Sequence, residues 1–419
     1  MRVYLDFLGC RLNAAENETL AREFAGAGWD VVSDPVAATV IVLNTCAVTG
    51  QAARKSRQRL RALHRLNPAA RLAAVGCWAT GQAEAAAQLP GVAWVIGNVD
   101  KAQTVAQITG VVADPAPWEP GRWGHTRAFL GVQDGCDHAC TYCITRILRG
   151  PARSRPLPQV VADVQTLVAQ GAQEVVLTGV SLGAYGHDLA ESVTLADLVA
   201  TLLQETDLPR LRLSSVEPWD VDAALLRQWE QPRLCRQLHL PLQSGADSVL
   251  RRMGRRITTA DFAALAAQAR AIAPDIALTT DLIAGFPGET ESDFAATLDF
   301  VEALAFARLH IFPYSSRAET AAARLPGALP KAVRVARAAQ LRALGARLQA
   351  AYQQRFVGRI LPVLWERQDA EGRWRGLTDN YLEVRTHHAA DLYNRITPTR
   401  LACDEEGLVG AEFATNFTN

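Results

Sequence analysis

Six of the chain's eight cysteines sit where thiols could do chemistry. Cys136, Cys140 and Cys143 fall in one stretch, Gly135-Cys136-Asp137-His138-Ala139-Cys140-Thr141-Tyr142-Cys143, with C-x3-C-x2-C spacing. In a reducing compartment, cysteines this close read as metal ligands or catalytic thiols, not as structural disulfides. Three thiolates can hold three irons of a 4Fe–4S cluster and leave the fourth iron open to another ligand. A structural zinc site would want a fourth ligand nearby. Only His138 is on offer, at a spacing zinc sites seldom use. Cys10, Cys46 and Cys77 are far apart in sequence, yet each closely follows a short apolar run: Val3 to Leu8, Val40 to Leu43 and Leu72 to Val75. Such runs suit buried parallel strands, whose C-terminal ends share one sheet edge. The three thiols are therefore expected to meet there, around a second cluster. The plain alternative is three small buried hydrophobes. Cys235 and Cys403 lack such a setting and read as structural.

The elements that must position these thiols follow from pattern. Residues 1 to about 108 alternate apolar runs with helical patterns, as a small α/β domain should. Asp114 to Gly121 is a Pro-rich linker. From about 125 to 330 the alternation continues, with runs at Val175 to Leu177, Leu211 to Leu213, Leu238 to Leu240, Ile276 to Thr280 and Leu309 to Phe312. Repeated βα units with chemistry at strand C-termini follow barrel logic. Leu341, Leu344, Leu348 and Tyr352 mark one face of a helix across Lys331 to Gln354. From about 355 to 419, runs at Ile360 to Trp365 and Tyr381 to Arg385 predict a small β module.

Composition is globular: 49% hydrophobic and 21% charged over 419 residues, which excludes disordered and fibrous classes. The most apolar N-terminal stretch, Val36 to Leu43, is far too short to span a bilayer. No cleavable signal pattern precedes it, so a cytoplasmic protein without a membrane partner is expected. The 43 basic and 43 acidic residues balance, but nucleic-acid binding depends on where charge sits. Arg54, Arg57, Arg61 and Arg65 form one helical stripe beside Ala53, Ser56, Leu60 and Leu63. Arg251, Arg252, Arg255 and Arg256 form a second basic cluster. Either could meet phosphates, and either could be a solvated face. Phe312 and Tyr314 could stack on a base or fill the barrel end.

The C-x3-C-x2-C loop resembles that of the radical S-adenosylmethionine (SAM) superfamily. With it, Leu8-Gly9-Cys10-Arg11-Leu12-Asn13, Asn44-Thr45-Cys46-Ala47-Val48-Thr49 and Gly76-Cys77 resemble the methylthiotransferases. Matching motifs continue through Arg149-Gly150, Arg153-Ser154-Arg155, Leu177 to Val180 and Leu213 to Pro218. They run on through His239 to Gly245, Asp281 to Thr290 and Phe312 to Ser315. The resemblance implies a partial six-unit (β/α)6 barrel and a C-terminal RNA-binding β-barrel of the TRAM type. It implies two 4Fe–4S clusters, one on Cys136, Cys140 and Cys143 and one on Cys10, Cys46 and Cys77. It implies two SAM molecules per product, one cleaved to a carbon radical and one giving the methyl group. Tyr142 would pack near the SAM adenine, and Thr178 and Gly179 would lie by its amino group. Ser215, Glu217 and Gln243 would reach its ribose or methionine end, and Ile283 to Glu289 would pack on the adenine.

The resemblance further implies a tRNA substrate and a reducing electron donor; oligomeric state leaves no signature. Ala47-Val48-Thr49 with Arg54-Lys55-Ser56-Arg57-Gln58, and Gly376 to Val384, resemble the branch acting at C2 of N6-threonylcarbamoyladenosine beside the anticodon. An arginine near the barrel mouth should then meet the threonylcarbamoyl carboxylate, with Arg255 and Arg317 as candidates. Alternatives are the isopentenyladenosine branch, the ribosomal-protein branch, and a non-catalytic Fe–S protein that binds RNA or carries electrons. Thr145-Arg146-Ile147-Leu148 departs from the family's usual Pro-Tyr after the last cysteine.

Overall fold

The computed structural model describes residues 1–413; the end of the expected C-terminal module, 414–419, lies outside the described residues. The N-terminal apolar runs do become strands. β1 (Arg2–Phe7), β2 (Asp30–Val31), β3 (Val40–Thr45), β4 (Arg71–Gly76) and β5 (Val92–Ile96) form a parallel sheet in the order β2-β1-β3-β4-β5. β3 is buried throughout, as a Val/Ile/Leu run needs when both faces are covered. On one face, Leu20 and Phe24 of α1 (Arg11–Gly26) pack with Val3, Val40 and Val42. On the other, Leu60 and Leu63 of α2 (Gly50–Leu66) pack with Ile41, Leu43 and Leu72. Thr49 caps α2 by accepting the Ala52 amide at 3.0 Å.

The second unit contains β6 (Ala128–Gly131), β7 (Gln133–Asp134), β8 (Arg153–Ser154), β9 (Glu174–Thr178), β10 (Arg210–Leu213), β11 (Gln237–His239), β12 (Ala277–Ala284) and β13 (Arg308–Pro313). β7 and β8 form a short antiparallel ladder. The others are parallel, in two sheets of order β6-β9-β10 and β11-β12-β13. Parallel bridges Leu211–Leu234 and Ser215–His239 join the two. The result is an arc of six parallel strands with β6 and β13 as edges, the expected partial barrel. β12 runs four residues past the expected end at Thr280. The helix Lys331–Gln354 lies against β12 and β13, and its Ala338, Leu341, Leu344 and Leu348 join the barrel core.

β14 (Ile360–Gln368), β15 (Trp374–Thr378), β16 (Glu383–Thr386), β17 (Ile396–Asp404) and β18 (Gly407–Phe413) close into a barrel of order β14-β15-β16-β18-β17. One expectation fails here: Tyr381 does not begin a strand. It sits in a turn at φ 67°, left-handed backbone that side chains rarely adopt. That turn docks on β10 and on the residue before β11. Arg212 donates to the Thr378 and Asp379 carbonyls, each at 3.1 Å, and Arg236 pairs with Asp379 at 2.6 Å. Among the described residues no helix is long and apolar enough to cross a membrane.

Candidate active site

The strand-end logic is realised. Cys10 is the residue before α1, Cys46 follows β3, and Cys77 follows β4 and opens a short helix. They lie close enough that Cys10 and Cys77 disfavour the Cys46 thiolate and Cys77 disfavours that of Cys10, each adding to burial. Their backbones are held tightly. Gly9 has φ 111°, and a Cβ there would lie 2.8 Å from the Cys46 sulfur, so only glycine lets the two loops touch. Ser56 of α2 clamps Cys46, accepting its amide at 3.0 Å and donating to its carbonyl at 2.9 Å. Thr45 Oγ1 accepts the Trp78 and Ala79 amides, both at 3.2 Å, which fixes the start of the Cys77 helix.

Cys136, Cys140 and Cys143 lie on the loop between β7 and β8, at the C-terminal edge of the barrel. The loop is pinned at both ends. The Cys136 amide donates to Gly150 at 3.1 Å, and the Thr141 amide donates to Met253 at 2.9 Å. Its unusual Thr145–Arg149 segment forms a helical turn whose Ile144 and Leu148 insert into the N-terminal domain's core beside Trp78 and Ala79. The departure from Pro-Tyr thus serves as a domain joint.

Burial pushes the Cys46 and Cys136 thiols up to about 11, so neither is ionised near neutrality until a cation binds. Among the described residues no three His, Cys, Asp or Glu side chains could share one metal ion. A four-iron cluster distributes its thiolates over separate irons, and three soft thiolates without a carboxylate suit it while leaving the fourth iron open. Both sets of thiols fit such a group.

Shared residues join the two sets. Arg149, 3% exposed, donates to Asn13 Oδ1 at 2.8 Å, Glu16 Oε1 at 2.9 Å and Asp134 Oδ1 at 2.8 Å. Asn13 in turn accepts from the Cys10 thiol at 3.6 Å. Asn98 Nδ2 lies 3.6 Å from the Cys77 sulfur and 2.8 Å from the Leu148 carbonyl. Burial alone would raise the Glu16 carboxyl, but Lys101 and Arg149 hold it down at about 2. Of these partners only Asn13 stood out in the sequence, as the end of the Cys10 motif. Arg149 did as well, but as one residue of a motif, with no sign of whom it meets.

The other candidates spread along the same strand edge. Tyr142 packs edge-on to Phe286 with ring centres 6.5 Å apart, and Ile283 lies in the same apolar cluster with Tyr314. Glu217 ion-pairs with Arg255 at 2.7 Å, beside Cys140 and over the Trp219 ring. Gln243 sits at φ 75°, its amide and carbonyl bonded to Asp281 and Ile283. Gly179 makes room for Gln133, whose side chain accepts the Ser181 amide at 2.8 Å and donates to Gly135 at 2.8 Å. Thr178 is wholly buried against Leu130, and Ser215 bridges to His239. The second basic cluster breaks up: Arg255 is buried at Cys140, and Arg252 bonds Gly288 and Asp293. Arg317 is largely covered and faces Glu319. The first stripe survives, with Arg54, Arg61 and Arg65 exposed and Ala53, Ser56, Leu60 and Leu63 buried.

Between α2 and the segment after β13 lies a cleft of about 1000 Å³ that reaches Gly9 and Cys46. Phe312 and Tyr314 line it.

Comparison with known proteins agrees with this geometry. The model described as Uncharacterized protein family UPF0004 matches residues 2–97, and the Radical SAM superfamily model matches residues 130–301. The threonylcarbamoyladenosine tRNA methylthiotransferase MtaB of Thermotoga maritima is 36% identical, over 91% of this chain and 90% of its own. MtaB of Bacillus subtilis is 33% identical, over 94% and 92%. The tRNA-2-methylthio-N(6)-dimethylallyladenosine synthase of Chloroflexus aurantiacus is 34% identical, over 96% and 89%. Among solved structures, the radical S-adenosylmethionine methyltransferase TsrM from Kitasatospora setae shares the fold, with a TM-score of 0.55 at 16% identity over 77% of each chain. Two thiol sites on the expected strand ends, in a chain this similar to named relatives, lead to one family: the chain belongs to the methylthiotransferases of the radical SAM superfamily.

Proposed function

We propose that the protein installs a methylthio group at C2 of N6-threonylcarbamoyladenosine in tRNA. The observation that carries this reading is the joining of two three-thiol sites through Arg149 and Asn98. A carrier or a simple radical enzyme needs one such site; delivery of sulfur beside a radical source needs two. The adenine C2–H does not ionise usefully, so side-chain acids and bases cannot open it. When bound, the clusters and SAM supply the one-electron chemistry, the sulfur and the methyl group.

The chain's own residues position these parts. Cys136, Cys140 and Cys143 hold one cluster, and Cys10, Cys46 and Cys77 hold the other. Tyr142, Ile283 and Phe286 form the apolar wall for the SAM adenine. The Arg255–Glu217 pair fixes the polar end beside Cys140, and Gly179 with Gln133 shapes the opposite side. Gln243 holds its strand end through backbone bonds, while Thr178 and Ser215 act as packing at theirs. Electrons come from a low-potential cellular reductant.

Overall identity does not separate the substrate branches, since relatives named for threonylcarbamoyladenosine lie between 33% and 36% and those named for dimethylallyladenosine between 31% and 34%. The segment Ala47 to Gln58, lining the cleft in part, favours the threonylcarbamoyl branch. The test is to give reconstituted protein, SAM and dithionite, under anaerobic conditions, three substrates: tRNA with threonylcarbamoyladenosine, tRNA with isopentenyladenosine, and the ribosomal protein. Methylthio product on the first alone is expected. Product on either of the others alone overturns the substrate. Failure to form 5′-deoxyadenosine from SAM returns the chain to a non-catalytic Fe–S protein.

A further inference from the structure

The cleft beside Cys46 has an uneven charge. The chain as a whole balances 43 basic against 43 acidic residues, and most of its buried arginines pair with carboxylates. Yet Arg54, Lys55, Lys331 and Arg334 line this cleft, and among the described residues no Asp or Glu does. The side chains of Arg54, Lys55 and Lys331 make no hydrogen bond or ion pair among the described residues. Four like charges in one concavity repel one another and attract anions. An uncharged dimethylallyl substituent would gain nothing from them.

Arg334 differs from the other three. It is half-buried, and its stem lies over Gly285, where a Cβ would come within 2.4 Å of the Arg334 Cγ. Its Nη1 is committed to the Tyr314 carbonyl. Its Nε is buried and has no partner. The guanidinium is therefore held in place with its Nη2 uncommitted, a donor for a charge-assisted bond to a carboxylate in the cleft that Arg334 lines. Phe312, 43% exposed on the same cleft, offers a face on which a base could stack.

We propose that Arg334 reads the carboxylate of the threonylcarbamoyl group, while Arg54, Lys55 and Lys331 hold phosphates of the anticodon loop. This rests on the substrate reading above and replaces Arg255 and Arg317 as the carboxylate's partner. Arg255 is already neutralised by Glu217, and Arg317 does not line the cleft.

The test measures binding of anticodon stem-loops to reconstituted protein. One loop carries threonylcarbamoyladenosine, one carries its methyl ester, and one carries unmodified adenosine. Wild-type protein should prefer the acid over the ester by roughly tenfold to a hundredfold, the range for hydrogen bonds to a charged group. Arg334→Gln should bind acid and ester alike, and Arg334→Lys should recover part of the preference. Arg54→Ala with Lys55→Ala should weaken all three loops together and keep the preference. An Arg334→Gln protein that still prefers the acid overturns the proposal. So does wild-type protein that binds the acid and the ester with equal affinity. Wild-type protein that methylthiolates only unmodified or isopentenyl loops is a different result, and overturns the substrate reading itself.

Discussion

Arg149 makes four hydrogen bonds while 3% exposed, two of them to Glu16. Removing one partner of a buried ion pair leaves the others desolvated and unpaired, at a cost of about 3–5 kcal/mol. Arg149→Met should therefore lower the denaturant unfolding free energy by about 3 kcal/mol. Because Asn13 loses its holder beside Cys10, iron content should fall as well. An unchanged midpoint with full iron would remove Arg149 from its joining role. Gly9 is the second residue with a sharp consequence. Alanine there meets both a left-handed φ of 111° and the Cys46 sulfur at 2.8 Å. Gly9→Ala should retain about half the iron, since the barrel cluster lies in another domain. It should still cleave SAM, and it should form no methylthio product. The residue types here were readable from the sequence. Their partners were not, because Asn13 and Glu16 of α1, Lys101 and Asp134 come from three separate segments.

At the scale of elements, α2 does two jobs with its two faces. Ser56 on the buried face clamps Cys46, and Arg54, Arg61 and Arg65 stand on the exposed face. If the exposed face follows the RNA backbone, Arg61→Ala with Arg65→Ala should weaken all tRNAs about equally. The slope of log affinity against log salt should drop by about one per lost phosphate contact. A filter-binding salt series with an unchanged slope would make the stripe a solvated face. The helical spacing of this stripe and of Leu341, Leu344 and Leu348 was legible because period 3.6 is a local property. The break-up of Arg251 to Arg256 was not, since the buried Arg255 and the exposed Arg256 look alike until Glu217 and Cys140 are brought beside them.

For the whole molecule, the contact between the two barrels sets a pH dependence. Glu174 is fully buried between Arg212, Arg127 and Arg210. Burial would raise its carboxyl, but Arg212 and Arg127 hold it down at about 2, against an ordinary value of 4.5. A carboxyl depressed in the folded state stabilises fully above its unfolded value and loses that contribution as pH falls toward the folded one. Wild-type stability should thus fall between pH 4.5 and 2. Glu174→Gln, less stable at neutral pH, should close the gap in that window. Parallel curves for the two proteins would rule out the linkage. The Thr378–Leu382 turn seals this pair: Arg212 donates to its carbonyls, and Arg11 donates to Tyr381 at 2.6 Å. Removing residues 355–419 should therefore destabilise the (β/α)6 barrel itself, read as a lowered melting temperature, and not merely weaken RNA binding. A truncated chain that melts like the full one would show the seal to be dispensable.

The sequence by itself determined the six thiols, the strands that end in them and the ordered motifs of the family, because spacing and short-range periodicity are written along the chain. It also carried Gly376 to Val384 as a substrate mark. Tertiary structure adds a structural role for that stretch: Asn380 is fully buried, and the turn binds Arg210, Arg212 and Arg236 at the strand ends opposite the thiols. Only the fold could decide which arginines are neutralised. Arg149, Arg212 and Arg255 meet carboxylates brought from distant segments, while Arg54 and Arg334 face a cleft that holds none. Pairing of charge is a matter of distance in space, which the order of forty arginines along the chain does not encode locally and which packing of three units settles at once.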